Sequence, residues 1–325
     1  MLFLDRRDVA ALLPMPDCIE AMAAAFAAHA AGELPAPPGV LGCRVPGGGF
    51  HVKTAVLGGA DGCYAAKVNA NFPANAERHG LPAIQGIIGL FDLVTGRPLA
   101  LLDSIEITTL RTAAASALAA RLLARTDAAT LLICGCGNQG RAHLRAMQHV
   151  RPLRRVIACD PNAAQLAAFV REMAAESGLA IEPSASVAES FPACDIGVTC
   201  TPARTVVLTA ADVRPGQFIA AVGADSEGKQ ELDPAILARS RVVADIAAQA
   251  AVMGELQHAI AARLMAVGDL HAELGQVAGG QRPGRTSAEQ LFVFDSTGTA
   301  LQDVAAAAMV YRRALAAGRG RELTL

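Results

Sequence analysis

The sequence predicts an α/β fold, a doubly wound parallel sheet joined to a mainly antiparallel N-terminal α+β domain that the C-terminal helix completes. Three observations carry this. From residue 130 onward, short apolar runs alternate with helical stretches, the pattern of a parallel sheet. Before residue 103, β-like segments follow one another with turn residues between them and few helices. At Leu131 to Gly140 an apolar run ends in Gly135-x-Gly137-x-x-Gly140, which reads as a strand, a tight turn and a helix start. That turn comes about 130 residues into the chain, so a separate domain precedes it.

A helix is expected over 17–31, with Asp17 at its cap and Gly32 just past its end. A proline-rich turn at 35–39 follows. Strands are expected at 41–45, 50–56, 64–69, 84–91 and 98–102, with Asp61-Gly62 and Thr95-Gly96 as hairpin punctuation. Residues 108–125 read as one alanine-rich helix capped by Thr108, Thr109 or Thr112. Parallel strands are then expected at 130–134, 155–159, 196–199, 218–222 and 241–244, with helices at 139–148, 163–176 and 234–238. After residue 250 the chain turns helical and passes a Gly/Pro/Arg-rich loop at 279–285. It then forms a strand at 291–294 and ends in a helix at 300–315 that packs back on the N-terminal domain. The expected domains are 1–112 with 299–325, bringing the substrate, and 113–298, bringing a dinucleotide.

Composition excludes several classes. No apolar stretch approaches the ~18 to 20 residues of a membrane helix. The N-terminus meets Asp5, Arg6 and Arg7 at once, unlike a signal peptide, so a cytoplasmic protein is expected. A net charge of −2 with both signs scattered leaves no nucleic-acid footprint. The eight cysteines make no CxxC pair and several fall in apolar strands, so they read as small hydrophobes in a reducing compartment. The seven histidines form no HExxH pattern, and no metal is expected. Of 28 basic residues only Lys53, Lys67 and Lys229 are lysine. A bias this strong singles out the three positions, because lysine is a compact charge whose pKa burial can lower, whereas arginine stays protonated.

The glycine turn has a physical reading. Gly135 permits the tight turn, Gly137 lets the backbone approach a pyrophosphate, and Gly140 lets helix and strand pack closely. Asn138 and Gln139 open the helix and face the phosphates, which its unpaired N–H groups attract. Asp160 closes the next strand, twenty residues after Gly140. A carboxylate there accepts ribose hydroxyls and repels a 2′-phosphate, so the expected cofactor of this Rossmann-type domain is NAD rather than NADP. Thr199 and Thr201, and Val222 with Gly223, stand at the ends of later strands where a cofactor is also met.

Four charged residues stand in apolar surroundings outside the turn: Arg44, Lys67, Arg111 and Asp225. Three cations suit a carboxylate, which arginine grips bidentately, and Arg111 is expected in the first turn of its helix. Asp225 follows an apolar strand at the end where open α/β sheets bind ligands. It suits acid–base work on an amine or a water.

Lys67-Val68-Asn69, Asn71-Phe72-Pro73, Gly80-Leu81-Pro82, Asp103-Ser104, Arg111-Thr112-Ala113-Ala114 and the glycine turn stand in one order. Val222-Gly223-Ala224-Asp225, Gly228-Lys229-Gln230-Glu231-Leu232 and Ser296-Thr297-Gly298 follow them. In these the chain resembles the ornithine cyclodeaminase/mu-crystallin family over roughly residues 15–311. The resemblance implies a homodimer joined through the N-terminal domain and an active site between the two domains. It implies Arg44, Lys67 and Arg111 as carboxylate-binding residues, Asp225 (with Lys67) as catalytic, and Ser296 and Gly298 beside the nicotinamide. Cyclising members carry a glutamate in the strand before the lysine strand. Here that strand reads Phe50-His51-Val52-Lys53-Thr54, with no carboxylate. His51 and Lys53 alternate onto one face, and a cation facing the site opposes a second ammonium group. The expectation is therefore hydride transfer at the Cα of a small L-amino acid or its imine, like the alanine dehydrogenase and ketimine reductase members. Ornithine cyclodeamination is the alternative, and non-catalytic ligand binding the alternative of another class.

Overall fold

The computed structural model of the chain describes residues 1–324; Leu325, the last residue of the expected first domain, lies outside them. The chain divides into two compact units, one formed by residues 1–112 with those from 299 onward, the other by 113–298.

The first unit is built on a seven-stranded sheet. Its strands are β1 (Leu2–Leu4), β2 (Gly39–Val45), β3 (Gly48–Leu57), β4 (Cys63–Asn71), β5 (Ile84–Asp92), β6 (Pro98–Asp103) and the short Arg321–Glu322. β2 to β6 form an antiparallel meander. β1 lies parallel to β6, and Arg321–Glu322 closes that edge. The C-terminal helix Ala300–Ala317 lies along β3 and β4, and the helix Met15–Ala30 packs against it. The helix comes this close because its inner face is mostly alanine: Ala306, Ala307 and Val310 are wholly buried, beside Val304. The opposite sheet face is open. Leu41, Val52, Val68 and Ile87 are aligned by register across β2 to β5, and three of them are exposed large apolar side chains, Leu41 at 71%.

The second unit is a fully parallel eight-stranded sheet. Its order is Ala272–Glu273, Arg241–Ala244, Phe292–Asp295, Phe218–Ala221, Ile196–Thr199, Thr130–Cys134, Arg155–Cys159 and Ala180–Ser184. The winding runs outward from Thr130–Cys134 in one direction, then returns to its other side at Ile196–Thr199. The carboxyl ends of those two strands are thus the topological switch point. Leu132, Ile157, Phe191, Ile219, Val242 and Val293 anchor the core on one face. Among the described residues no single helix is long and apolar enough to cross a membrane.

Several expectations are corrected. The helix placed at 108–125 runs over Ser104–Leu123, because the Asp103 carboxylate accepts the Glu106 N–H at 2.8 Å and caps it earlier. Thr109 and Thr112 do not cap it. Their hydroxyls donate to the carbonyls of Ile105 and Thr108, one turn back. Arg111 therefore sits in the second turn, and the helix N-terminus, whose field fades within one turn, adds nothing beside it. The helix expected from residue 17 starts at Met15, with Asp17 inside its first turn. Strands Leu2–Leu4 and Ala180–Ser184, helix Arg6–Leu12, and the two-stranded pair Arg204–Leu208 with Gln230–Leu232 went unforeseen.

Candidate active site

In the first unit, Lys67 points from β4 toward the C-terminal helix. Its ammonium meets the Asp303 carboxylate at 2.6 Å, and the Arg111 Nε meets the other Asp303 oxygen at 3.0 Å. All three are buried, Lys67 and Arg111 at 4% exposure and Asp303 at 1%. Arg111 also donates to the Gln302 side-chain oxygen, and the Lys67 ammonium lies 3.5 Å from the Thr108 hydroxyl. Asp303 and Arg111 Nε meet here as ion pairs and have no further hydrogen-bond partner. Two cations against one anion leave this cluster one positive charge in excess when Lys67 is protonated. Burial pulls the Lys67 pKa down to about 7; Asp303 opposes the shift, and Arg111 and Lys53 add to it. Burial alone would raise the Asp303 carboxyl, but Lys67 and Arg111 outweigh it and hold the group below the usual range. A buried acceptor held between two cations, with charge to spare, is ready to share them with a second carboxylate.

The neighbourhood is built to hold this geometry. Ser104 donates to the Asn69 side-chain oxygen at 2.6 Å, tying the start of the long helix to β4 two residues from Lys67. Gly86 on β5 makes room for that contact, since a Cβ there would clash with both side chains. Arg44 stands exposed on β2, on the same sheet face by alternation. The register also answers where His51 and Lys53 face: Lys53 is directly opposite Lys67, and His51 directly opposite Asn69.

In the second unit, the glycine turn joins Thr130–Cys134 to the helix Asn138–Gln148 at the switch point. Gly135 has φ +103°, and a Cβ there would fall 2.8 Å from the Cys200 carbonyl oxygen. A Cβ on Gly140 would strike the Gly135 carbonyl, which explains the third glycine. Around Gly137 the space is open, and no side chain caps the helix it begins. The buried Gln139 side-chain oxygen has no hydrogen-bond partner. Uncapped N–H groups, open space at the central glycine and an orphaned amide fit a dinucleotide pyrophosphate. Asn138 is exposed at the first helical position. Asp160 accepts from Cys136 N–H and Gln165 Nε2 through one oxygen and from Asn162 N–H through the other, all at 2.8 Å. A carboxylate offers about four acceptor positions, so one remains for a ribose hydroxyl.

At the other strand ends a buried acid organises the loops. Glu231 accepts from Thr199 Oγ1, Thr201 N–H, Thr201 Oγ1 and Gly223 N–H, each at 2.7 Å. Burial pushes its carboxyl up despite these four donors. Thr199, Thr201 and Gly223 are thus held to Glu231, with Val222 buried beside them. Asp245 does the same for Ser296-Thr297-Gly298, accepting from Thr297 Oγ1 and Gly298 N–H at 2.7 Å, while the Ser296 hydroxyl is buried without a partner. Asp225 lies past the end of Phe218–Ala221, exposed, with the Lys229 ammonium 2.6 Å from its carboxylate. All three lysines of the chain therefore stand at candidate site positions: Lys53 opposite Lys67, and Lys229 on Asp225.

Sequence reasoning missed Asp303, Glu231 and Asp245. Asp303 had a signal: a lone Gln302-Asp303 pair in an otherwise apolar stretch of helix, where an acid must find a cation. It missed His143 too, which accepts or donates between the Gln139 carbonyl (2.8 Å) and the Ser116 hydroxyl (3.0 Å). Burial pushes its pKa down to about 4, so it stays neutral and steadies the helix that carries Gln139.

Comparison with known proteins shows the family and the fold. The model of the ornithine cyclodeaminase/mu-crystallin family matches residues 1–318. Alanine dehydrogenase of Archaeoglobus fulgidus is 37% identical over 99% of this chain and 98% of its own length. Iminosuccinate reductase of Paracoccus denitrificans is 36% identical over the whole of both chains, 100% of each. The solved dimer of an archaeal alanine dehydrogenase with bound NAD superposes at a TM-score of 0.94 and 34% identity, covering 100% of this chain and 99% of that one. The chain belongs to the ornithine cyclodeaminase/mu-crystallin family.

Proposed function

We propose that this protein is an NAD-dependent oxidoreductase that acts at the Cα of a small L-amino acid or of its imine. The observation that carries the reading is the buried Lys67–Asp303–Arg111 cluster, which keeps a positive charge in excess within a chain whose other unit holds a dinucleotide turn. NAD, when bound, accepts or supplies the hydride. The relatives support both halves, since alanine dehydrogenase and iminosuccinate reductase are named for chemistry at such a carbon and the solved neighbour holds NAD.

Residues 1–112 with 299–325 form the substrate-binding and dimerisation domain, and 113–298 the NAD-binding domain. Lys67 and Arg111, joined by Arg44, hold the substrate carboxylate and so orient the Cα–H bond; such positioning is worth about 7 to 11 kcal/mol in favourable cases. Asp225 takes the proton from the substrate ammonium group or from attacking water, and the Lys229 ammonium stands beside it. Gly135, Gly137, Asn138, Gln139 and Gly140 cradle the pyrophosphate, and Asp160 takes a ribose hydroxyl. Thr199, Thr201, Val222, Gly223, Ser296 and Gly298 line the rest of the cofactor's path.

Lys53 argues for dehydrogenase or imine reductase chemistry over cyclodeamination. It faces the same way as Lys67, where a second substrate ammonium would be repelled. The open apolar row of Leu41, Val68 and Ile87, with Phe50 on the same face, supports a homodimer through this sheet, as the solved neighbour is a dimer. The free cysteines suit a reducing cytoplasm.

The test follows NADH absorbance and ammonia separately while the protein meets NAD and a panel of L-amino acids. NADH and ammonia together mark oxidative deamination, and NADH consumption on imines marks the reductase direction. Ammonia without net NADH would mean cyclodeamination. Ligand binding with no turnover would leave a binding protein.

A further inference from the structure

The stretch from Gly223 to Glu231 carries Asp225 and Lys229, and Glu231 closes it on itself. The Glu231 carboxylate accepts the Gly223 N–H at 2.7 Å, so the last residue of the stretch holds its first. The same carboxylate reaches the neighbouring strand end, where it takes Thr201 N–H and the hydroxyls of Thr199 and Thr201, each at 2.7 Å. A carboxylate offers about four acceptor positions, and these four donors fill them. The approach is close enough to require a glycine: a Cβ on Gly223 would fall 2.4 Å from Glu231 Cδ and 2.3 Å from the Thr201 carbonyl oxygen. Asp225 follows two residues later, its N–H donating to the Gly223 carbonyl at 3.1 Å.

The far end of the stretch is braced from behind. Buried Glu255 accepts the N–H groups of Glu231 (2.7 Å) and Leu232 (3.2 Å), and buried Asp295 accepts those of Glu255 (3.0 Å) and Leu256 (2.9 Å). Gln257 takes the Gly228 N–H at 3.1 Å, and His258 Nε2 meets the Lys229 carbonyl at 2.7 Å. A carboxylate is costly to bury, and the donors that offset the cost for Glu231 come from two loops. Either loop can move only by breaking hydrogen bonds to a charged acceptor, the stronger kind.

We infer that Glu231 is a positioning residue for proton transfer: by closing the stretch 223–231 it fixes where the Asp225 carboxylate stands. This rests on the reading of Asp225 as the base of the oxidoreductase. Glu231, at 0% exposure, acts through Asp225.

A double-mutant cycle of Asp225→Asn and Glu231→Gln tests this, read as kcat at saturating NAD on the best substrate of the panel above. Glutamine keeps the shape of the side chain but turns an NH2 group toward one main-chain donor, Gly223 or Thr201. Alone, Glu231→Gln is expected to lower kcat by about ten- to a hundredfold, the scale of a hydrogen bond to a charged group. Added to Asp225→Asn, it is expected to cost less than about threefold more, because residues that act as a unit are not additive. A merely structural role takes the full loss in both backgrounds; that outcome, or an undiminished kcat in Glu231→Gln, overturns the inference. Hydrogen exchange of the full chain, read by mass spectrometry, needs no turnover. Amides of 223–229 are expected to exchange about tenfold faster or more in Glu231→Gln, with those of Thr130–Cys134 unchanged. Unchanged exchange over 223–229 overturns the closure. Should Glu231→Gln not fold, Glu255→Gln, which loosens Glu231 from behind, enters both measurements under the same criteria. An undiminished kcat in Asp225→Asn, or a protein that turns over none of the panel, sinks the reading beneath the inference, and exchange then decides the loop closure alone.

Discussion

Lys67 is the residue whose state decides most. Its pKa of about 7 in the cluster means that the ammonium form is present below neutrality and fades above it. A bound carboxylate favours that ammonium form, so binding takes up a proton above pH 7. Affinity for a 2-oxo acid should therefore be flat below about pH 7 and fall above it, by up to about tenfold per pH unit. Calorimetric titration between pH 6 and 9 reads this directly; an affinity constant to pH 9 would remove Lys67 from the carboxylate site. Asp225 makes a separate prediction. Asp225→Asn keeps shape but cannot take a proton, so NAD affinity should persist while kcat drops by about two to four orders of magnitude. An undiminished rate would end its role as base. Of these residues, Lys67, Arg111 and Asp225 were legible because a charge in an apolar run is conspicuous. Asp303 was missed: the polar pair Gln302-Asp303 signals a buried acid, but its partners lie far away in sequence and only the return of the last helix brings them together.

At the scale of elements, the glycine turn and the end of the strand Arg155–Cys159 form one device. Asp160 fastens the turn through Cys136 N–H and, in the proposed function, gives its remaining acceptor to ribose. Asp160→Ala removes both. Loosening of the turn weakens every dinucleotide alike, whereas loss of the ribose contact weakens NAD, and loss of repulsion toward a 2′-phosphate favours NADP. The variant should lose far more affinity for NAD than for NADP, checked by titrating each against protein fluorescence or by calorimetry. Equal losses would contradict the ribose assignment. The parallel strands were readable because each is a short apolar run bounded by turn residues. Boundaries were harder to read. The long helix begins at Ser104 because Asp103 caps it, and competing threonines downstream drew the start four residues late. Strands Leu2–Leu4 and Arg321–Glu322 are too short to show periodicity, and only their pairing makes them strands.

At the scale of the whole molecule, alternation along β4 separates two tasks. Lys67 and Asn69 face the buried cluster, and Val68 between them faces the open apolar row. Val68→Asp should convert a dimer to monomers, measured by sedimentation equilibrium, and leave the helix content unchanged. A dimer that persists would place the interface elsewhere. The α/β class and the late start of the nucleotide-binding unit were legible in the chain's order of elements. The openness of one sheet face was not, because an exposed apolar row looks the same in sequence as a row that a helix covers.

The first unit draws six of its seven strands from residues 1–112 and its central helix from residues 300–317. During synthesis, Lys67 and Arg111 emerge from the ribosome long before Asp303 exists. Until then two like charges face an uncovered sheet, and the unit that begins the chain is the last to be finished. Completion of that charge cluster thus waits until residue 303 has been made, and a chain cut short before residue 299 has no means of forming it.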